Sequence, residues 1–144
     1  MKYMCSIDIN KPISKVLELF ENRENRILWM VGFDSSSLIS GIEGQVGAKS
    51  EIHFITGKRK LKMIETIKVS RLPDEFTCTY EAPGVLNTVK CMFAEISDTK
   101  TDFCTVQEFR FNGLYKIVAL FMPGIFKKQS NKYLSAFKVF CESR

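Results

Sequence analysis

Five polar side chains interrupt segments that otherwise have the composition of buried strands: Glu65, Tyr80, Asn87, Thr105 and Gln107. Alternate residues of a strand point to opposite faces of its sheet, and the lysines of these segments mark the outer face. The alternation therefore predicts that all five point inward. A carboxyl and a phenol can transfer protons, and an amide can polarise a carbonyl. Apolar walls with a few such groups are typical of a pocket that binds and orients a hydrophobic molecule.

Glu65 and Tyr80 are the candidates for a catalytic role. An unpaired buried carboxylate costs several kcal/mol, so a Glu65 that faces a cavity should be paired, hydrated or protonated. A purely structural alternative stays open. In that case each polar residue bonds to backbone or to buried water, or lies at a strand end in solvent.

The strand alternation and the C-terminal helix together predict the lining of a binding site. Its members should face a space between a sheet and that helix. They are Met63, Glu65, Tyr80, Asn87, Cys91, Gln107, Phe109, Val118, Phe121, Met122 and Phe126.

The C-terminal part of the chain has a long helical pattern. Apolar residues recur at helical spacing from Leu114 to Phe126 and again from Tyr133 to Cys141. Pro123 and Gly124 predict a kink or a helix in two parts. A stripe of this length needs a large partner surface, so we expect it to be buried against a sheet, with a gross gain of roughly 10 to 20 kcal/mol for its first half.

The remaining elements must supply that sheet. Residues with period-two alternation are separated by turns rich in Gly, Pro, Asp and Ser, as in an antiparallel meander. The predicted strands are 3–9, 35–39, 50–56, 61–69, 76–80, 85–96 and 103–111, and two short helices are predicted at 13–20 and 24–30.

Composition indicates one globular domain over residues 1–144. The chain is 45% hydrophobic and 26% charged, and it contains twelve Phe. Its five cysteines are odd in number and widely spaced, which argues against a disulfide framework. With one His, no metal site or cofactor is expected. No stretch has the length of a membrane span or the form of a signal peptide, so we expect a cytoplasmic protein.

The net charge of +5 is concentrated in two places. These basic clusters could favour an anionic macromolecule or membrane, whereas a solvated hairpin tip and helix face are the simpler interpretation. Nucleic acid is disfavoured because no aromatic residue interleaves with the first cluster. The clusters consist of Lys58, Arg59, Lys60 and Lys62, and of Lys127, Lys128 and Lys132.

Several segments resemble one known family. They are Ile7 to Phe20, Trp29, Gly44 to Ala48, and Leu134 to Lys138 near Glu142. With the order of elements, they resemble the helix-grip fold of the START-like superfamily, also called SRPBCC, and within it the polyketide-cyclase-like branch. The resemblance implies an α+β fold in which a curved antiparallel sheet of about six to seven strands wraps around a long C-terminal helix, with two short helices after the first strand.

The resemblance does not choose a function, because the superfamily includes carriers, receptors and enzymes. Our first hypothesis is that the cavity between the sheet and the C-terminal helix binds or carries a small hydrophobic molecule, such as a lipid, polyketide or isoprenoid-like compound. The second is a cyclase or dehydratase that uses cavity acid/base residues. The third is an interaction module for an anionic macromolecule or a transiently contacted membrane.

Overall fold

The first elements are a strand and two short helices, as predicted. Strand β1 (Lys2–Ile9) is followed by helix α1 (Ile13–Glu21). Pro12 directly precedes α1, where its fixed φ and missing N–H are tolerated. A 3₁₀ turn (Arg23–Asn25) then leads into helix α2 (Arg26–Trp29). The computed structural model describes residues 1–121 and 123–144, including all of their side chains except those of Val118 and Pro123.

Six further strands join β1 in one curved antiparallel sheet. Its order is β1-β7-β6-β5-β4-β3-β2. Strands β2 to β7 therefore pair in sequence order, and β1 pairs with β7. This is the predicted meander, completed by the first strand. The six strands are β2 (Phe33–Ser40), β3 (Lys49–Thr56), β4 (Arg59–Arg71), β5 (Glu75–Ala82), β6 (Val85–Ser97) and β7 (Lys100–Phe111).

The C-terminal helical segment is described as two ranges on either side of residue 122, and the kink expected at Pro123 and Gly124 stays a prediction. Helix α3 spans Tyr115–Phe121 and helix α4 spans Pro123–Glu142. Helix α4 packs along β1 and also contacts α1 and α2. Its second half buries the predicted apolar stripe, which includes Leu134, Phe137, Phe140 and Cys141.

The core is an aromatic cluster between α4, α1, α2 and the sheet. The Phe137 side chain is fully buried, and its ring centroid lies 4.8 Å from that of Trp29, 5.3 Å from Phe103 and 5.8 Å from Phe20. Phe93 and Phe103, which are paired across β6 and β7, stack with their centroids 4.5 Å apart. Edge-to-face and stacked rings fill this end of the molecule with direct contacts.

Most of the described residues in the first half of the C-terminal stripe are exposed, so the expectation that this half is buried was wrong. Leu120 and Phe121 are each 77% exposed. Helix α3 follows the end of β7 and contacts that strand, and its Tyr115 lies beside the β5–β6 turn. It therefore lies beside strand and turn ends and does not cover the concave face. Other exposed members of this segment are Leu114, Ile117 and Ile125.

Candidate ligand-binding site

A cavity of about 960 Å³ lies between the concave face of the sheet and helices α1, α2 and α4. Strands β3 to β7 contribute to its wall, which is mostly apolar. Alternate residues of β6, namely Val85, Asn87, Val89 and Cys91, line it in turn. The alternation that predicts an inward face thus places every second side chain of β6 on one continuous surface.

An ion cluster centred on Glu65 forms one polar part of this wall. The Glu65 side chain is only 2% exposed, and the sheet register pairs Glu65 with Tyr80 on the next strand. Tyr80 Oη donates a hydrogen bond to Glu65 Oε2 at 2.9 Å. Arg23 Nη2 bonds to Oε1, and Arg26 Nη1 lies 3.4 Å from Oε2. The Glu65 carboxylate is therefore paired, which is one of the three states expected for it.

The ion cluster also determines where the Tyr80 proton lies. Burial raises the pKa of Tyr80 well above its ordinary value, and the neighbouring Glu65 raises it further. Tyr80 therefore stays protonated and donates a hydrogen bond to Glu65. Burial likewise raises the pKa of the Cys91 thiol to about 12 and that of the Cys78 thiol further. The two cavity thiols are neutral at physiological pH and are poor nucleophiles.

A chain of hydrogen bonds forms a second polar part of the wall and joins β6, β7, α4 and β1. Asn87 Nδ2 donates to Gln107 Oε1 at 3.2 Å, and Gln107 Nε2 donates to Ser130 Oγ at 2.7 Å. Ser130 Oγ lies 2.7 Å from Tyr3 Oη, which donates to the Phe126 carbonyl at 2.9 Å.

The direction of this chain follows from its last acceptor. A carbonyl oxygen only accepts, so Tyr3 uses its single proton on Phe126 and Ser130 must donate to Tyr3. Ser130 then has no proton for Gln107, which must present its NH₂ to Ser130 and its oxygen to Asn87. The orientation of both amides is thereby settled, and Asn87 Oδ1 is left as a buried acceptor without a partner in the described residues.

The cavity reaches the surface between α3 and the β5–β6 turn. Pro83 and Tyr115 both line it and are both exposed. Gly84 adopts a φ of +79°, and a Cβ there would overlap the Tyr115 ring. Glycine is required at this position both for the left-handed backbone and for the closeness of the ring.

Comparisons with known proteins identify this architecture. No protein-family model matches the chain, and no curated protein sequence matches it either. Solved structures do match. The Zhui aromatase/cyclase from Streptomyces sp. R1128 has a TM-score of 0.81 at 11% identity, covering 100% of this chain and 94% of that one. A conserved protein from Geobacillus kaustophilus has a TM-score of 0.80 at 14% identity, covering 99% and 96%.

A third similar structure is norcoclaurine synthase from Thalictrum flavum, a point mutant in complex with a transition-state analogue. Its TM-score is 0.68 at 9% identity, covering 95% of this chain and 93% of that one. The chain has the helix-grip fold. The START-like resemblance is confirmed at the level of the fold, with seven strands in the sheet.

Most of the predicted lining residues lie on the wall of the helix-grip cavity. The strand residues among them come from β4, β5, β6 and β7, and one residue comes from α4. Their contact with a ligand stays a prediction. The residues found on the wall are Met63, Glu65, Tyr80, Asn87, Cys91, Gln107, Phe109 and Phe126.

Among the predicted residues of the C-terminal stripe, one is not on that wall and two are not described. Phe121 is exposed and does not line the helix-grip cavity, because α3 turns it towards solvent. Met122 and the side chain of Val118 lie outside the described residues.

Four residues of the polar clusters were not predicted from the sequence. Arg23 and Arg26 are three positions apart on a helical segment that ends at Trp29, so this spacing was an available signal that they share its inner face. No comparable signal marks Tyr3 or Ser130. These two meet across the helix-grip core, although they are 127 residues apart in sequence.

The basic clusters, possible metal sites and possible membrane spans were also compared with the part of the chain that the structure describes. The basic residues 58–60, Lys127, Lys128 and Lys132 are exposed. Within residues 1–121 and 123–144, no group of three or more His, Cys, Asp or Glu side chains is placed to hold a metal ion. In the same residues, no helix is both long and apolar enough to cross a membrane.

Proposed function

We propose that the protein binds and carries a small hydrophobic molecule in the cavity between the sheet and α4. The observation that carries the proposal is the cavity itself, about 960 Å³ in volume, with a mostly apolar wall and two separate polar clusters. This volume lies in the range of small-molecule sites, roughly 300 to 1,000 Å³.

The size of the cavity argues against an empty structural void. At roughly 24 cal/mol per Å³, an empty apolar cavity of this volume would cost on the order of 20 kcal/mol. That exceeds the whole stability of a typical domain, about 5 to 15 kcal/mol. The cavity is therefore filled by water or by a ligand. A hydrophobic ligand is favoured over water, because it removes the apolar wall from contact with water.

The orphaned polar atoms of the wall give such a ligand an orientation. Asn87 Oδ1 and Thr105 Oγ1 are buried and have no partner among the described residues. Both line the cavity. A ligand hydroxyl or N–H beside Asn87 would satisfy its free acceptor, and the apolar body would then lie against the Phe and Val side chains.

We favour carriage over catalysis for this cavity. Two proteins of similar structure are named as enzymes, an aromatase/cyclase and a norcoclaurine synthase. A cyclase or dehydratase needs a proton donor or acceptor within reach of its substrate. Here Glu65 and Tyr80 are bonded to each other, and Arg23 and Arg26 also bond to Glu65. These contacts use the groups that would otherwise act on a substrate.

A second candidate function is transient contact with an anionic membrane. Leu120 and Phe121 form an exposed apolar surface on α3, and exposed Lys127 and Lys128 follow them on α4. Apolar side chains flanked by lysines suit the interface of an anionic bilayer. Such contact would allow a carried molecule to pass between the cavity and the lipid.

The carriage proposal is tested with phenylnaphthylamine, a neutral apolar dye whose fluorescence rises in a dry environment. Trp29 is the only tryptophan of the chain and lines the cavity, so energy transfer from Trp29 to the dye reports binding there. We expect saturable binding by the wild-type protein. In Val89→Trp, an indole occupies the cavity, and the dissociation constant should rise at least about tenfold.

Thr88→Trp is the matched control, because Thr88 lies on the opposite face of the same strand and does not line the cavity. Its dye affinity should stay within about twofold of the wild type, read from the fluorescence of the dye itself. The proposal fails if the wild-type protein shows no saturable binding, or if Val89→Trp binds the dye as tightly as Thr88→Trp does.

A further inference from the structure

We propose that the ligand of this cavity carries an anionic group, such as a carboxylate, and that Arg26 and Trp29 on α2 bind this group. The inference rests on the proposed ligand-binding function and names the chemical class of the ligand. It is argued from unused donors, from one long ion-pair contact and from the way the nearby carboxylates are bonded mainly to Arg23.

Two side-chain donors on α2 make no hydrogen bond within residues 1–121 and 123–144, and one of them, on Trp29, is a buried atom. Trp29 Nε1 is buried and makes no hydrogen bond. Arg26 is 7% exposed and uses Nε on the Arg23 carbonyl at 3.1 Å and Nη1 on Glu65, while no bond is formed by Nη2. Both side chains line the cavity, three residues apart on one helical face. A buried donor without a partner is costly, so Trp29 Nε1 requires an acceptor, and the unused Nη2 of Arg26 can donate to the same group.

Arg26 is only loosely held by its present partner. Charge-assisted N–H···O bonds are typically about 2.7 to 2.9 Å long, whereas Arg26 Nη1 lies 3.4 Å from Glu65 Oε2. Glu65 is satisfied mainly by Arg23 and Tyr80. The guanidinium of Arg26 stacks on the Phe33 ring, 4.8 Å from its centroid, which holds it in place without using its remaining N–H groups.

The carboxylates around Glu65 are bonded mainly to Arg23, and Arg26 has only the long contact to Glu65. Glu65 and the half-exposed Glu43 both bond to Arg23, with Arg23 Nε 3.3 Å from Glu43 Oε1. Glu21 also lines the cavity, but its side chain faces solvent. Burial lowers the pKa of Arg26, and the positive charge of Arg23 lowers it further. A ligand anion beside Arg26 would give its guanidinium a closer anionic partner than Glu65 provides.

These features select an amphiphile with an acid group at one end. An anionic oxygen accepts from both Arg26 and Trp29, and the apolar remainder extends along the wall. A neutral hydrocarbon would leave both donors unsatisfied. A cationic amphiphile would be repelled by Arg26, so the ligand class is a hydrophobic acid.

The test compares two dyes with the same apolar skeleton, the neutral phenylnaphthylamine and the anionic anilinonaphthalene sulfonate. In Arg26→Gln we expect the sulfonate dye to lose about tenfold in affinity, the size of one charge-assisted bond. The neutral dye should stay within about twofold. In Trp29→Phe, which keeps an aromatic ring against Phe137, the sulfonate dye alone should again weaken. Dodecanoate should displace the neutral dye more strongly than dodecanol does.

Arg110→Gln is the control for the loss of one positive charge, because Arg110 is exposed on β7 and does not line the cavity. Its affinities for both dyes should equal those of the wild type. If Arg26→Gln does not fold, as judged by circular dichroism, Trp29→Phe carries the test alone. Equal losses for both dyes, or no loss for either, overturn the anionic-ligand proposal. Absence of neutral-dye binding to the wild-type protein would instead reject the carriage proposal.

Discussion

The two halves of the C-terminal apolar stripe have opposite surroundings. In the second half, Phe137 is enclosed by the rings of Phe20, Trp29 and Phe103. In the first half, Phe121 and Ile125 are exposed, and the neighbouring concave face of the sheet is hollow. The same periodicity therefore serves stability at one end of the molecule and leaves the other end free for binding. Periodicity marks a helical face, and it does not say what covers that face.

The comparison predicts that the same substitution has very different costs in the two halves. Phe137→Ala should lower the free energy of unfolding by about 3 to 5 kcal/mol, because it removes a fully buried ring and leaves a cavity. Phe121→Ala should change it by less than about 0.5 kcal/mol, since the ring is exposed. Denaturant unfolding followed by circular dichroism measures both values. Equal costs would mean that α3 is packed in solution, and the comparison would be broken.

Alkaline pH provides a second, smaller test, with one buried thiol in each region. Burial raises the pKa of Cys91, on the cavity wall, and of Cys141, in the packed end, from 9.0 to about 12. Below pH 9.0 these thiols are protonated whether the chain is folded or unfolded, and they add no pH dependence. Above it only the unfolded chain ionises, so stability falls as pH rises, by about 1.4 kcal/mol per pH unit for each thiol.

Cys91→Ala and Cys141→Ala should each remove one such contribution. Each variant should differ from the wild type by a constant amount below pH 9.0 and should lose stability less steeply above it. Urea unfolding at several pH values provides the data. If the loss of stability per pH unit above pH 9.0 is the same in Cys91→Ala as in the wild type, while Cys141→Ala shows the expected change, solvent in the cavity reaches the Cys91 thiol.

The smallest effect is expected at the exposed α3 surface. The pair Leu120→Ser and Phe121→Ser should weaken sedimentation with phosphatidylglycerol vesicles about tenfold, because partial burial of two apolar side chains is lost. Val139→Ser removes an exposed apolar residue from α4 and is the control. Neutral phosphatidylcholine vesicles should bind weakly throughout. Unchanged sedimentation of the double variant would contradict a membrane role for α3.

The sequence predicted the fold well because strands and helices leave periodic traces. The alternation of β6 correctly placed Asn87 and Cys91 on the inner face, and the helical spacing of the C-terminal part correctly predicted a long helical segment there. Such patterns depend on residues close together in the chain, where backbone geometry fixes which side chains share a face.

The polar clusters were harder to predict because they join distant residues. Glu65 was recognised as needing a partner, yet Arg23, which lies 42 residues earlier, carries no sequence signal that pairs the two. The burial of α3 was overestimated for a related reason. A stripe shows that Phe121 shares a face with other apolar residues, whereas the position of that face relative to the sheet depends on the turn at Asn112 and Gly113.

Gly84 affects how fast a molecule can enter or leave the cavity, rather than how tightly it is bound. Its missing side chain lets the Tyr115 ring lie directly against the β5–β6 turn, where the cavity reaches the surface. A molecule that passes there must first move one aromatic ring, and a rotating side chain moves much faster than a packed helix does. For a carried molecule that leaves by this route, the residence time would then depend on that ring as well as on how strongly the apolar wall holds the molecule.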